Sequence, residues 1–448
     1  MSLLIRSRFI QEIFLTQNPV SSQAFRRGAF VVGTLFLTLG LLYGIWYSYS
    51  VFLVALIDHF GWSRSVTAGA MSVFILAHGM FGPFAGRLVE QFGPTRLMMV
   101  GSVIMASGLL LSSQVNQWWQ LYLSFGVVTA VGLGACGWVP SVILAERWFP
   151  HKVGTVLGIV TAGIGVGILA VVPLTNGLIE AFHWRTAFQI LAAIVLLVIW
   201  PAAFFILRLP ESADTTQLQA SEQHVSTGAK PKTYSAAAAI TPDAEWTVKS
   251  AARSRSFRCA VLAFFTGGAL SQLLIMHQFA FMVDHGVAKT MGSVIVGILG
   301  VASIPGKIIW GALSDRIGRE TTYTLGLFCT LLSVGALALI DTIPGLAMPI
   351  AFAVLIGVGY AANAPIIPSA ARDLFAGPRF PSIFGLLSMF AALGGATGSW
   401  LGGFLYDISG AYDLMLVVAA CFAVFAPTML WLAAPRRPQM PPSLTVNT

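Results

Sequence analysis

Charged side chains are scarce in this sequence: Asp, Glu, Lys and Arg make up 9% of its 448 residues, whereas hydrophobic residues make up 56%. Soluble globular domains carry about 25% charged residues, so this composition excludes an ordinary soluble protein. The 17 acidic residues all fall in polar segments or at the ends of long apolar runs. The sequence therefore predicts an all-α integral membrane protein, because helices satisfy their own backbone polar groups in lipid.

Signals of catalysis and of metal binding are also absent. The four cysteines lie far apart, with no CxxC pair and no metal-ligand spacing, so we interpret them as small buried apolar residues. No Ser/His/Asp arrangement stands out, and the Gly-rich stretches have no strand before them, which argues against a nucleotide site. We expect no enzyme activity, cofactor or metal.

Apolar runs of about 20 residues or more, long enough to cross a bilayer, occur twelve times. The predicted domains are a polar tail (1–28), a six-helix half (29–207), a linker (208–256), a second six-helix half (257–434) and a second tail (435–448). The linker is rich in Ser, Thr, Ala, Gln and charges without an apolar period, which predicts a flexible segment. The predicted spans are 29–56, 66–86, 95–114, 119–144, 154–179, 186–207, 257–281, 291–313, 321–340, 345–370, 382–405 and 411–434.

The 25 Lys and Arg residues indicate the orientation. Only Arg64, Arg185 and Lys289 fall in loops on the side opposite the termini, and one more, Lys307, lies inside a span. All others are on the side of the termini, which predicts that both tails are cytoplasmic. The net charge of +8 is therefore explained by membrane topology, and we expect a lipid bilayer and no nucleic acid as partner.

The two halves repeat at an offset of 225 residues. Gly86, Glu90 and Gly93 match Gly311, Asp315 and Gly318; Gly132, Gly134 and Pro140 match Gly357, Gly359 and Pro365; and Arg147 matches Arg372. Three separate groups of matches at one register indicate an internal duplication, which is typical of secondary transporters. Trp138 and Asn363 stand at equivalent places, two residues before the matched prolines, where proline and clustered glycines permit distorted helices.

These motifs resemble the major facilitator superfamily, and the resemblance covers nearly the whole chain outside the tails and linker. Its signature is the loop after the second span, Gly82-x3-Gly86-Arg87-x2-Glu90-x2-Gly93-x2-Arg96, with a closer copy after the eighth. The resemblance implies the twelve-helix major facilitator fold, in which this loop stabilises one of two alternating states; plain anchoring by positive charge is the alternative. The implied gating residues are Gly86, Arg87, Glu90, Gly93 and Arg96, and Gly311, Asp315, Arg316, Gly318 and Arg319.

Further segments are similar to the monocarboxylate porter and oxalate:formate antiporter group. They are Gly61-Trp62-Ser63-Arg64, the run from Arg147 through Pro150-His151-Lys152 to Gly163, and a basic residue four positions before Gly311. This resemblance implies a carrier of small organic anions, mono- or dicarboxylates, in a bacterial inner membrane. Related carriers usually have arginine where this chain has Lys307, and lysine loses the bidentate geometry for a carboxylate.

Lys307 is the leading candidate for the anion site. An ionised lysine in a span is costly unless it faces a wet cavity or a partner. It lies eight residues before Asp315, about 12 Å along a helix, and no carboxylate within the spans pairs with it. A bound anion would supply the missing charge; a lysine that extends to the membrane surface is the alternative.

Other candidate substrate-binding residues are polar or aromatic side chains within spans. Tyr43 and Tyr47 form an i,i+4 pair whose hydroxyls could donate to a carboxylate, with an interfacial aromatic belt as the alternative. An amide within a span needs a hydrogen-bond partner, which favours a site role for Asn363. The full set is Lys307, Tyr43, Tyr47, Asn363, Tyr360, Trp138, His277 and Ser388.

The sequence does not decide whether transport is coupled to a proton or to a counter-anion. Animal monocarboxylate carriers have an aspartate four residues before their arginine, and Ser303 stands there in this chain. Lysine deprotonation, His277 or exchange for a counter-anion could replace it. A drug or cation exporter and a non-transporting membrane sensor are the alternative functions. The sequence leaves the substrate, the direction of transport and the oligomeric state undetermined.

Overall fold

The computed structural model describes residues 22–149, 153–207, 246–377 and 379–433. Within these ranges 12 helices are long and apolar enough to span a membrane, which confirms the predicted all-α membrane fold. The predicted tail 435–448 and the linker residues 208–245 lie outside the described residues. The uninterrupted spans are Ser22–Phe60 (span 1), Arg64–Phe92 (2), Pro94–Ser112 (3), Val153–Phe182 (5), Trp184–Phe205 (6), Arg255–Asp284 (7), Lys289–Ile317 (8), Arg319–Ala338 (9), Phe380–Ser409 (11) and Asp413–Ala433 (12). Spans 4 and 10, Trp118–Trp148 and Ala347–Phe375, are interrupted.

The helix ends reproduce the internal repeat. Spans 2 and 8 begin and end at an offset of 225 residues, and so do the starts of spans 3 and 9. The turns between them contain Gly93 and Gly318, whose φ angles are 81° and 94°. Glycine adopts positive φ without the steric cost of a Cβ. The same turn is therefore built twice, once in each copy of the motif.

Spans 1–6 form the N half and spans 7–12 the C half. Because the number of spans is even, the start of span 1 and the end of span 12 lie on the same side of the bundle. We call this side the termini face and the opposite side the far face. The halves meet along two seams, span 2 on span 11 and span 5 on span 8. The backbones approach closely at the second seam, where a Cβ on Gly165 would lie 2.4 Å from the carbonyl oxygen of Gly300.

The halves separate toward the termini face. Where span 2 faces span 11, a Cβ added to Gly79 would contact Ala392. One or two turns closer to the termini face, a Cβ added to Gly82, Gly86 or Gly385 would have no atom within 4 Å. On span 5, Gly158 lies two helical turns from Gly165 and is equally open. The described conformation is thus closed at the far face and open at the termini face.

Two boundaries differ from the predicted ones. The first helix begins at Ser22, inside the predicted tail 1–28. A helix Val248–Arg253 lies inside the predicted linker, so the prediction of an unstructured segment does not extend to these residues. Thr247 and Ser250 cap that helix reciprocally, and Trp246 is buried with its ring 5.3 Å from that of Phe375 in span 10. The capping box, the Trp246 ring and the fully buried Ala251 hold this short helix against the C half.

Candidate functional site

Both interrupted spans break at the middle of the bundle. Span 4 starts as a short helical turn, Trp118–Leu121, and continues as a π-helical stretch, Tyr122–Thr129. It then runs as Ala130–Cys136, breaks at Gly137 and resumes as Trp138–Trp148. Span 10 runs as Ala347–Tyr360, turns, and resumes as Asn363–Phe375. Pro140 and Pro365 follow each break and lack the N–H that would continue the ladder. Both helices are interrupted next to Trp138 and Asn363, at equivalent places in the repeat, where the sequence permits a distortion.

Trp310 supports the break in span 10. The carbonyl of Val358 would normally accept from the N–H of Ala362, but that N–H bonds to Gly359 instead. The indole Nε1 of Trp310 donates to the freed Val358 oxygen at 2.7 Å. Because a buried carbonyl without a partner is costly, this bond attaches span 8 to span 10 at the break.

Lys307 lies where the seam between spans 5 and 8 opens. It is three residues past Ile304, the last residue of span 8 near Gly165, and it shares a helix face with Gly300 and Gly311. The preceding residue, Gly306, packs against Ala361 in the break of span 10. The Lys307 side chain is half-buried and makes no hydrogen bond or ion pair with the residues that the structure describes. An unpaired ammonium therefore lies beside the broken helix at the apex of the opening.

The hydroxyl of Tyr47 in span 1 donates to the hydroxyl of Tyr360 in span 10, at 3.1 Å. This bond crosses between the halves at the level of the span 10 break. Tyr43, Trp46 and Ser50 lie on the same face of span 1 as Tyr47, at i,i+3,i+4 spacing. Through Tyr47, that face contacts the C half.

Asn363 opens the second part of span 10 and bonds to span 7. Its Nδ2 donates to Ser271 Oγ at 3.0 Å, and Ser271 Oγ donates to the Gly267 carbonyl at 2.9 Å. Because the Ser271 hydroxyl donates its hydrogen to Gly267, its oxygen can only accept from Asn363. The Nδ2 of the amide therefore faces Ser271, and the Oδ1 points away from it. The Asn363 Oδ1 and the hydroxyl of fully buried Tyr323 have no hydrogen-bond partner among the described residues.

Aromatic rings surround the corresponding break in the N half. Trp46 stacks on Tyr43, with ring centroids 5.6 Å apart, and meets Phe74 and His78 edge-on at 4.8 and 5.2 Å. Tyr43 also lies beside Cys136, the last residue before the break. Trp138 follows the break with 39% of its surface exposed. The structure thus brings the sequence-predicted residues Tyr43 and Trp138 to one break, and Tyr360, Asn363 and Lys307 to the other.

Two sequence-predicted residues lie elsewhere. His277 is fully buried near the far face, where its Nε2 is 2.9 Å from the carbonyl oxygen of Ser399 and its ring packs on Gly402. A ring enclosed between spans 7 and 11 does not line the opening. Ser388 is half-buried in span 11, on the termini-face side of the Gly79–Ala392 contact.

Arg64, at the first residue of span 2, holds the far face closed. Its guanidinium bonds to the Asp284 carboxylate and the Tyr412 hydroxyl, and lies over the Tyr406 ring at 3.9 Å. The two carboxylate oxygens of Asp407 accept the backbone N–H groups of Arg64 and Ser65, each at 2.9 Å. All of these partners belong to the C half. We call Arg64, Asp284, Tyr406, Asp407 and Tyr412 the far-face cluster.

Two further contacts cross the halves at this face. Lys289 bonds to Asp58 at 2.8 Å, and Thr290 lies 3.4 Å from a carboxylate oxygen of Glu180. A pocket of about 330 Å³ borders the far-face cluster inside the C half, away from Lys307. The motif Gly61-Trp62-Ser63-Arg64 resembles one of a transporter group, but nothing in it predicts that Arg64 bonds to residues more than 200 positions away.

The second copy of the loop motif forms an ionic network at the termini face. Arg319 bonds to the carboxylate of Asp315 at 2.5 Å, to that of Asp373 at 3.0 Å and to Ser314 Oγ at 2.7 Å. These bonds connect spans 8, 9 and 10 within the C half. Among the gating candidates, Gly311 lies against Pro365, Gly318 makes the positive-φ turn, and Arg316 is exposed.

The first copy cannot form the same network. At the offset of 225, Pro94 stands at the position of Arg319 and Trp148 at that of Asp373. Arg87, Glu90 and Arg96 are exposed, and none has an ion pair among the described residues. Gly86 faces the opening and Gly93 makes the turn. Pro94 thus leaves the first copy without the arginine at the centre of the network.

The sequence matches the family model described as Major Facilitator Superfamily over residues 35–367 and 273–446. The chain belongs to this superfamily. It is therefore a multi-pass membrane transporter, in agreement with the expectation that it is not an enzyme.

Named relatives of this superfamily member include monocarboxylate transporters. Monocarboxylate transporter 13 of Rattus norvegicus is 25% identical over 395 residues, which cover 88% of this chain and 86% of that protein. Monocarboxylate transporter 12 of Homo sapiens is 24% identical over 396 residues, covering 86% and 76%. MFS-type transporter 1 of Ophiocordyceps sp. (strain BCC 1869) is 26% identical over 380 residues, covering 83% and 77%.

A solved structure shares the fold. A bacterial homolog to the human lysosomal transporter Spinster, in an inward-facing and occupied conformation, superposes with a TM-score of 0.69 at 16% identity. The match covers 94% of this chain and 98% of that one. At this identity the likeness concerns the fold alone.

Proposed function

We propose that this transporter moves small organic anions, mono- or dicarboxylates, by alternating access, and that Lys307 binds the carboxylate. The observation that carries the proposal is the position of Lys307: an ammonium without a described partner, at the apex of the opening between the halves. Leaving such a charge uncompensated at mid-membrane costs about 3 kcal/mol or more. A bound carboxylate supplies the counter-charge.

The distribution of acidic residues favours an anion over a cation. Each Asp and Glu in the described spans lies within two residues of a helix end, so no carboxylate competes for Lys307. Tyr360 can add a hydroxyl donor, because its oxygen accepts from Tyr47 and its own hydrogen stays available. A cation exporter would need the opposite charge at this place.

The described state supports alternating access with the termini face as the open side. If the tails are cytoplasmic, as the basic residues predict, this state faces inward. The opposite state requires the far-face cluster to break and the halves to close over Lys307. The open glycine faces of spans 2, 5 and 11 are suited to that closure, since small residues let helices approach.

Uptake into liposomes tests the proposal. Purified protein should exchange or accumulate labelled carboxylates such as acetate, phenylacetate or succinate, and competing organic cations should have no effect. Changing the external pH at a fixed substrate concentration separates proton coupling from anion exchange. In liposomes without internal anion, only proton-coupled uptake responds to the proton gradient. Transport of cationic solutes with no transport of any carboxylate would contradict the proposal.

A further inference from the structure

The two breaks are equivalent by the internal repeat but opposite in chemistry. At the offset of 225 residues, four polar side chains of the C half replace apolar residues or glycine of the N half. The C half has Lys307, Tyr360, Asn363 and Ser271 where the N half has, in the same order, Gly82, Ala135, Trp138 and Trp46. Duplication would have given both halves similar surfaces, so the divergence points to a ligand with two unlike ends.

The N-half surface carries an aromatic wall made of Tyr43, Trp46, Phe74 and His78. Tyr43 and Trp46 stack nearly parallel, at an interplanar angle of 12°, and Phe74 and His78 meet the Trp46 ring edge-on. Tyr43 and Trp46 lie on the face of span 1 from which Tyr47 reaches across to Tyr360. The wall therefore lies beside the Tyr47–Tyr360 contact with the C half, and each of its rings already packs against another ring. Rigid aromatic surfaces favour stacking of a planar apolar group.

A second carboxylate on the ligand would meet no cation. Lys307 is the only Lys or Arg of the described spans that lies more than five residues from a helix end, and the His78 imidazole is the only basic group of the N-half wall. An ionised group that loses its hydration without a counter-charge is strongly disfavoured. A short-chain acid could bind Lys307 but would leave the aromatic wall uncovered.

We propose that Tyr43 and Trp46 bind the apolar body of the substrate, so that the site prefers aromatic monocarboxylates over short-chain monocarboxylates and over dicarboxylates. This inference rests on the proposed function, because Lys307 must bind the carboxylate end. The substrate lies across the opening, with its charge in the C half and its ring in the N half.

Competition in proteoliposomes tests the order of preference. Exchange of labelled phenylacetate should be inhibited by unlabelled phenylacetate at a concentration about two- to tenfold lower than by acetate, the factor expected of one aromatic contact. Succinate should inhibit least. If succinate or acetate inhibits as well as phenylacetate, the inference is wrong while anion transport stands. If no carboxylate is transported at all, the proposed function itself fails.

A substitution separates the wall from general effects of the fold. Trp46→Leu should raise the apparent KM for phenylacetate about two- to tenfold and that for acetate by a smaller factor, whereas Trp46→Phe should restore most of the difference. Trp200→Leu is the matched control, because Trp200 is an exposed tryptophan of span 6, stacked only on Phe204. Equal changes for both acids in Trp46→Leu, in protein that elutes as the wild type does on size exclusion, would overturn the assignment.

Discussion

Tyr47 and Tyr360 meet hydroxyl to hydroxyl at 3.1 Å, one from each half of the transporter. Tyr360 is the last residue of span 10 before its break. Tyr47 is the donor, so the Tyr360 hydrogen is available to an anion near Lys307. The contact therefore connects the halves at the break and orients the second donor of the proposed site.

Tyr360→Phe should weaken carboxylate binding more than Tyr47→Phe. Removing a hydroxyl that donates to a charged group costs about 1.5–3 kcal/mol, which is about 10- to 100-fold in KM. Loss of the Tyr47 hydroxyl leaves that donor in place and should cost less. The measurement is KM for labelled carboxylate uptake in liposomes. Tyr49→Phe is the control, since its hydroxyl bonds to Thr67 inside the N half; the reverse order of effects would refute the donor assignment.

Arg64→Ala should open the far face. The variant loses the bonds to Asp284 and Tyr412 and the stacking on Tyr406. Because Asp284 is partly exposed, we discount the contribution to about 1 kcal/mol, or about fivefold in the ratio of open to closed states. A thiol at Ser399, which is fully buried beside Ala68, reports on opening.

In a background without the four natural cysteines, Ser399→Cys should react with a maleimide about fivefold faster when Arg64→Ala is present. Arg185→Ala is the matched control, because Arg185 also lies at the far face but its side chain contacts Ser113, Asn116 and the Trp184 ring, all of its own half. An equal acceleration by both arginine variants would show general loosening and would remove Arg64 from the gate.

Trp310→Phe should destabilise the C half. The substitution keeps an aromatic ring but removes the donor to the Val358 carbonyl, which then stays unpaired beside the break. The expected loss is about 1–3 kcal/mol, measurable as a lower denaturant midpoint in detergent micelles. Trp200→Phe should leave the midpoint where it is. A midpoint for Trp310→Phe equal to that of the wild type would show that water satisfies the carbonyl.

His183, in the turn between spans 5 and 6, should make folding slightly less favourable in acid. Burial, the neighbouring His59 and Arg185 lower the pKa of His183 below its usual value of 6.5. The unfolded chain then binds the proton more readily, so stability contributed by neutral His183 is present above about pH 6.5 and is lost as the pH falls below it. The effect is small because the side chain is exposed.

His183→Asn isolates this charge. Asparagine tolerates the positive φ of 77° at this position and can keep the cap on Arg185. The difference in denaturant midpoint between the wild type and His183→Asn should therefore be larger at pH 5 than at pH 8, in favour of the variant. A difference independent of pH would contradict the lowered pKa.

The sequence was sufficient for much of the fold and for part of the site. Spacing of apolar runs and the repeated glycines predicted the twelve spans and the two halves, because lipid permits little besides helix at that length. The prolines after Trp138 and Asn363 marked the places where the helices could distort. Lys307 stood out because charge inside a span is rare. Each of these signals is local in the chain, or is repeated at a fixed offset.

What the sequence could not predict depends on pairing between distant residues. Arg64 meets Asp284 and Asp407 across the halves, and no local pattern relates those positions. Arg319 reaches Asp373 through the folding of span 10 onto span 9, whereas the sequence indicated only its neighbour Asp315. The sequence did not mark Trp46 as a site residue, because tryptophan within a span is common. Its role is suggested only by the repeat, in which Trp46 occupies the place of the polar residue Ser271.

The most direct test of the account is substitution of Lys307, with uptake of labelled carboxylate as the measurement. Lys307→Gln, which keeps the length and polarity but removes the charge, should abolish specific uptake, and Lys307→Arg should retain a substantial part of it, since the charge stays at the apex of the opening. Comparison of both variants with the wild type at equal amounts of reconstituted protein decides the matter. Undiminished uptake by Lys307→Gln would contradict the assignment of Lys307 as the anion site.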